Sequence, residues 1–137
     1  MALYNLGRAK GHVCKLDEAE MLLTESLKME ETLTGPNSGI TTMRLFELGR
    51  LYLDHGEFAK SIPYFERAVP AVVDLGVEKS DPIGLANVYD DVAAAQQGAG
   101  DLVKADLARQ QALRLRSANP GRSANFVAAR YKEACPK

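Results

Sequence analysis

The stretch from Leu45 to Leu75 restricts this chain more than any other, because it carries two helical faces back to back. Leu45, Leu48, Gly49 and Tyr52 fall at i, i+3, i+4 and i+7, which is one face of a helix. After the break His55-Gly56-Glu57, a second helical face follows in Phe58, Ser61, Phe65 and Ala68. The small residues Gly49 and Ala68 predict a close approach of the two backbones. The pattern recurs on both sides. Leu3, Leu6 and Gly7 precede their counterparts by 42 residues, followed by Leu16, Ala19, Leu23, Ser26 and Leu27. Tyr89, Val92 and Ala93 follow by 44 residues, with Leu102, Ala105 and Ala112 on the next helix. Departures are local: Lys10 and Gln96 stand in the slot of Tyr52, Cys14 in that of Gly56, and Arg109 in that of Phe65. One such helix pair cannot bury its apolar face alone, so neighbours have to stack on it.

The periodicity predicts seven helices, near 2–13, 16–33, 41–55, 58–76, 82–98, 102–117 and 122–133. Asp81-Pro82 has the chemistry of a helix cap followed by proline at the first helical position. Asp17 and Asp101 lie near helix starts, where their charge suits the helix dipole. Pro70 falls inside a helix and predicts a kink. The last segment, with Phe126, Val127, Arg130, Tyr131 and Ala134 on a partly apolar face, reads as a capping helix over about 122–134. The expected architecture is an all-α, right-handed solenoid of three helix pairs, about 1–38, 41–79 and 82–118, with that cap.

Leu-Gly-x2-Tyr on the first helix and the small–aromatic–small spacing on the second resemble the tetratricopeptide repeat. The longer spacing resembles the 42-residue repeats of kinesin light chains, whose helices are joined by a Leu-Gly-Pro-x-His-Pro loop. Gly35-Pro36-Asn37 fits that loop, with Ser38-Gly39 in place of His-Pro; Leu75-Gly76 and Pro82 fit its second copy, and Pro63 fits a proline common in those repeats. The resemblance covers about residues 2–117. It implies a non-catalytic scaffold that holds other proteins on its concave face. A carboxylate clamp, a known variant of the family, does not match. Its places hold Tyr4, Arg8, Glu47, Asn87 and Asp91, and the two acids repel a peptide carboxylate.

Other functions find little support. The two histidines, His12 and His55, have no metal-ligand spacing around them. Gly98-Ala99-Gly100 lacks the lysine of a phosphate loop. Asp90 and Asp91 are adjacent, and adjacent side chains on a helix do not face each other. No catalytic, cofactor-binding or metal-binding residues are therefore predicted. No stretch approaches the roughly 20 apolar residues of a membrane span. Two cysteines, Cys14 and Cys135, make no zinc set and read as free thiols in a reducing, cytoplasmic setting. The first hundred residues carry net charge −6 and the remainder +5. Few aromatics accompany the basic part, which argues against a nucleic-acid platform.

Periodicity places a second set of side chains on the concave side of the first helices. These are Tyr4, Asn5, Arg8 and His12, then Phe46, Glu47, Arg50 and Leu53, then Asp90, Asp91, Ala94 and Gln97. The aromatics offer burial and the arginines offer carboxylate pairing, so the expected ligand is a protein or peptide of unknown identity. Its acidic and apolar part would lie near the first two repeats, and its basic end near Asp90 and Asp91. Phe46 and Arg50 are expected to serve binding and not the core. The first repeat opens with core residues facing outward, so either the array continues upstream or this face pairs with a second copy as a homo-oligomer.

Overall fold

The computed structural model describes residues 2–131. Six long helices form three antiparallel pairs: α1 (Ala2–His12) with α2 (Leu16–Thr34), α3 (Gly39–Asp54) with α4 (Phe58–Asp74), and, after the short α5 (Val77–Ser80), α6 (Pro82–Gly98) with α7 (Leu102–Ala118). The pairs stack through α2 on α3 and α4 on α6. This is the all-α solenoid that the periodicity predicts.

The backbone repeats as regularly as the sequence. Each pair turns through a residue in the left-handed region: Cys14 at φ +63°, Gly56 at +84° and Gly100 at +90°. The following residue closes the same long-range bond each time. Lys15, Glu57 and Asp101 donate to the carbonyls of Lys10, Tyr52 and Gln96 at 2.9, 2.8 and 2.9 Å. These are Schellman closures, which satisfy carbonyls left without partners at a helix end. Cys14 therefore holds a glycine's backbone conformation, at the steric cost an L-residue carries there.

The close approach within a pair is between a glycine and a large side chain. A Cβ on Gly49 would lie 2.8 Å from the Phe65 ring, and one on Gly7 would lie 2.9 Å from Leu23. Ala68, expected opposite Gly49, is wholly buried but is not among the atoms that such a Cβ would meet first. Helix α4 continues through Pro63 and Pro70. Both prolines are exposed, so the carbonyls that lose a donor face water.

The loops carry their own caps. Ser38 accepts from the Thr41 amide at 3.1 Å, and the Thr41 hydroxyl donates to Gly35 O at 2.7 Å. Ser38 thus does the N-capping at the place where the longer-repeat loop pattern has histidine. Asp81 accepts from the Gly84 amide and Asp101 from the Lys104 amide, each at 3.0 Å. The four-residue α5 is absent from the sequence expectation, because one turn is too short to show a period.

The capping helix is a correction. Residues 122–131 contain no helix, and residues 132–134 of the expected span lie outside the described residues. Gly121 (φ +76°) turns the chain, and the segment then runs back across the first helices. Its amides leave the helical pattern for distant carboxylates: Asn125 N–H donates to Asp81 at 3.1 Å and Tyr131 N–H to Asp54 at 2.9 Å. Phe126 and Val127, expected to face the core, are 61% and 95% exposed. Leu102, Val103, Leu107 and Leu113 of α7 are likewise exposed.

Candidate functional site: the strapped concave groove

Helices α1, α3 and α6 form the floor of a groove, and residues 124–130 form part of its wall. Between them lies a cavity of about 910 Å³. Tyr4, Arg8, Phe46, Glu47, Arg50, Asp90 and Asp91, all expected on the concave face, line it. His12 stands next to it, stacked on the Tyr131 ring with centroids 4.9 Å apart. Asn5 is exposed, and Leu53 is buried in the main apolar cluster.

The polar centre of the groove is Glu47, which is 1% exposed. One carboxylate oxygen accepts from Arg8 Nε at 3.1 Å and from the Tyr131 hydroxyl; the other accepts from Arg50 at 2.5 Å. A buried carboxylate survives because three donors replace its water. The same bonds correct the expected ligand chemistry. The two guanidiniums assigned to a partner's acids are already engaged by Glu47. Arg44 adds a cation over the Tyr4 ring at 3.6 Å, and burial raises the Tyr4 pKa.

A second acidic centre holds the end of the strap. Arg130 donates to Asp54 at 2.5 Å and to Asp91 at 2.8 and 2.9 Å. Burial raises the Asp91 pKa, and the Arg130 charge opposes that rise. Tyr131 fills the hollow over Gly11, where a Cβ would lie 2.6 Å from its ring. Its phenol pKa is pushed up by burial first and then by the Glu47 charge, so the hydroxyl keeps its proton and donates. Asp54, Gly11, Arg130 and Tyr131 belong to this site, although the helical period places none of them on the concave face. The signal for Gly11 was a glycine inside a helix, one turn beyond Gly7.

Phe46 and Arg50 are 7% exposed each, Phe46 with its ring centroid 6.4 Å from that of Phe65. Both are structural as well as groove-lining, against the expectation that neither touches the core. The thiol reading is corrected too: Cys14 is disulfide-bonded. The basic C-terminal third is answered within the chain, since Arg116 pairs with Asp90 at 2.5 Å and Arg114 with Glu78 at 2.9 Å. Among the described residues no cluster of three or more His, Cys, Asp or Glu is placed to hold a metal, and no helix is long and apolar enough to cross a membrane.

Stacked helix pairs with an acidic-centred concave groove define a helical-repeat protein. The chain belongs to the tetratricopeptide repeat family, whose profile matches residues 1–72. The fold is similar to that of BtubC (BKLC) from P. vanneervenii, with TM-score 0.79 and 28% identity over 93% of this chain. The chain spans 53% of that protein's length. No curated protein matches it in sequence. Repeats of this family generally mediate protein–protein interaction.

Proposed function

We propose that the concave face formed by α1, α3 and α6 binds an extended segment of a partner protein without catalysis. One observation carries this reading. The groove already accommodates an extended polypeptide, residues 124–131, through buried carboxylates that accept from its backbone and side chains. Such carboxylates fix register and orientation, while the apolar walls at Tyr4, Phe46 and Val88 supply burial. The partner is a protein and not a nucleic acid in this reading, because Asp90 and Asp91 line the groove while its Arg8 and Arg50 are engaged by Glu47. A cytoplasmic setting belongs to the same reading, with the Cys14 disulfide then a reversible one, as cytosolic disulfides usually are.

The test is nuclear magnetic resonance with peptides selected for binding from a random extended-peptide library. Shifts at Met43, Phe46 and Val88 are the expected result. Shifts confined to Glu25, Lys60 and Arg114 on the second helices would remove the groove from consideration. A second reading, self-association through the first repeat, draws on Leu6 and Met21, which are 48% and 57% exposed. A monomeric mass at micromolar concentration would count against it.

A further inference from the structure

We infer that α7 of one copy of this chain receives α1 of a second copy, head to tail, in the register already set by the junctions between its helix pairs. This deepens the self-association reading and rests on it; the groove reading is independent of it. Two internal junctions show the register, α2 on α3 and α4 on α6. Three contacts define it. Phe58 of α4 packs over Gly98 of α6 and leaves no room for a Cβ there. Glu20 of α2 lies against Tyr52 of α3. Glu30 of α2 pairs with Arg44 of α3 at 3.7 Å. Moved on by the repeat offsets of 42 and 44 residues, the last two correspond to Ile62 against Gln96 and Val72 against Val88. Beside Phe58 against Gly98, the second number falls as the first rises. All three contacts therefore describe one antiparallel crossing, used twice.

Helices α7 and α1 carry the two halves of a third such junction. The same offsets set Asp106 of α7 against Lys10 of the second copy, and Leu102 against its His12. Leu113, in the slot of Leu27 and Val69, falls opposite Leu6, in the slot of Leu48 and Val92. Inside the chain those slots are covered, since Leu27, Leu48, Phe58, Val69 and Val92 belong to the main apolar cluster or pack against it. Leu6, Leu102 and Leu113 are exposed. Charge selects a second copy as the occupant. The slot filled by Glu20 and Tyr52 at the first junction would hold Asp106 and Lys10 at the third, an acid facing a cation. Within one chain Lys10 reaches Glu18 at 3.7 Å and Asp106 accepts from Arg109 at 2.7 Å, both in pairs open to solvent. Such pairs contribute little, so exchanging partners costs little. A two-fold contact through the α1 faces would leave Leu102, Leu113 and Asp106 uncovered. The head-to-tail contact is heterologous, so each added copy presents a fresh α1 or α7 and the array extends.

The test is sedimentation velocity on the full chain, with a charge swap at one contact. The parent chain is expected to gain mass as concentration rises, with no plateau at a dimer. Lys10→Glu sets two acids against each other at the junction, and Asp106→Lys sets two cations. Each variant alone should stay monomeric with helicity unchanged. Mixed one to one, the two variants bring opposite charges together at every junction. The average mass should then rise to at least twice that of either variant alone at the same total concentration. A damaged fold cannot produce that rescue. A parent chain that is monomeric at every concentration would overturn both this junction and the self-association reading, and leave the groove reading standing. A parent chain that stops at a dimer, broken by Leu6→Glu but not by Asp106→Lys, would keep self-association through the first repeat and overturn the head-to-tail contact. Variants that assemble like the parent, or a mixture that stays monomeric, would overturn the register.

Discussion

Glu47 holds Arg8, Arg50 and Tyr131 together from inside the groove, so its loss leaves cations without their partner. Breaking a buried ion pair from one side typically costs about 3–5 kcal/mol. Glu47→Ala is expected to destabilise the fold by that order in urea titrations. A variant as stable as the parent would mean that the carboxylate is not buried as described. Phe46 tests a different term. Its ring sits in the apolar cluster beside Phe65, so Phe46→Ala should cost about 3–5 kcal/mol through lost burial and the cavity left behind. The sequence alone predicts almost no stability loss there. The helical period places Phe46 on the concave side correctly, but it cannot show that a neighbouring helix and a returning strap bury that side. The same limit explains Glu47. Its position on the face was legible, whereas its three donors come from α1, α3 and residue 131, and no local spacing encodes that meeting.

At the scale of elements, the six long helices were legible because each buries a stripe of side chains with helical period, and because the turn positions 14, 56 and 100 share one backbone geometry. The strap was not legible. It is anchored by backbone donors to carboxylates 44 and 77 residues away, contacts that leave no period in the sequence. Its titration gives a direct check. The Tyr131 pKa in the closed strap is raised above its ordinary value of 10.0 by burial and Glu47. A raised pKa means that the closed form holds the proton more tightly than the released form does. The stabilisation is therefore complete below pH 10.0 and drains away as pH rises past it, when a released tyrosine ionises. Release of the strap, read from the methyl resonances of Val127, Ala128 and Ala129, should accordingly grow as pH passes 10.0, and Tyr131→Phe should abolish that part of the pH dependence. A parent chain with no such dependence would show that the phenol does not hold the strap.

For the molecule as a whole, the separation of charge, −6 over the first hundred residues and +5 after them, invites the view that the C-terminal third is built for an acidic partner or nucleic acid. The fold shows where those charges go. Arg109 donates to Asp106 and Gln97, Arg114 to Glu78, Arg116 to Asp90 and Asn87, and Arg130 to Asp54 and Asp91. Apart from Asp106, these partners lie on other elements. The asymmetry is thus largely a seam along which α7 and the strap meet α5, α6 and α3. The exposed pairs on α7 contribute little stability each, but they reduce the field that a polyanion would sense. A polyanion binds by releasing counterions from phosphate or sulfate groups matched to unpaired cations, and among the described residues Arg109, Arg114, Arg116 and Arg130 are already paired. The chain should therefore pass through a heparin column unretained at physiological ionic strength. Arg116→Glu, which sets a third carboxylate near Asp90 and Asp91, should leave that behaviour unchanged. Retention of the parent chain that Arg116→Glu abolishes would show that the arginine is available to a polyanion in solution, and the pairing with Asp90 would then not describe the molecule.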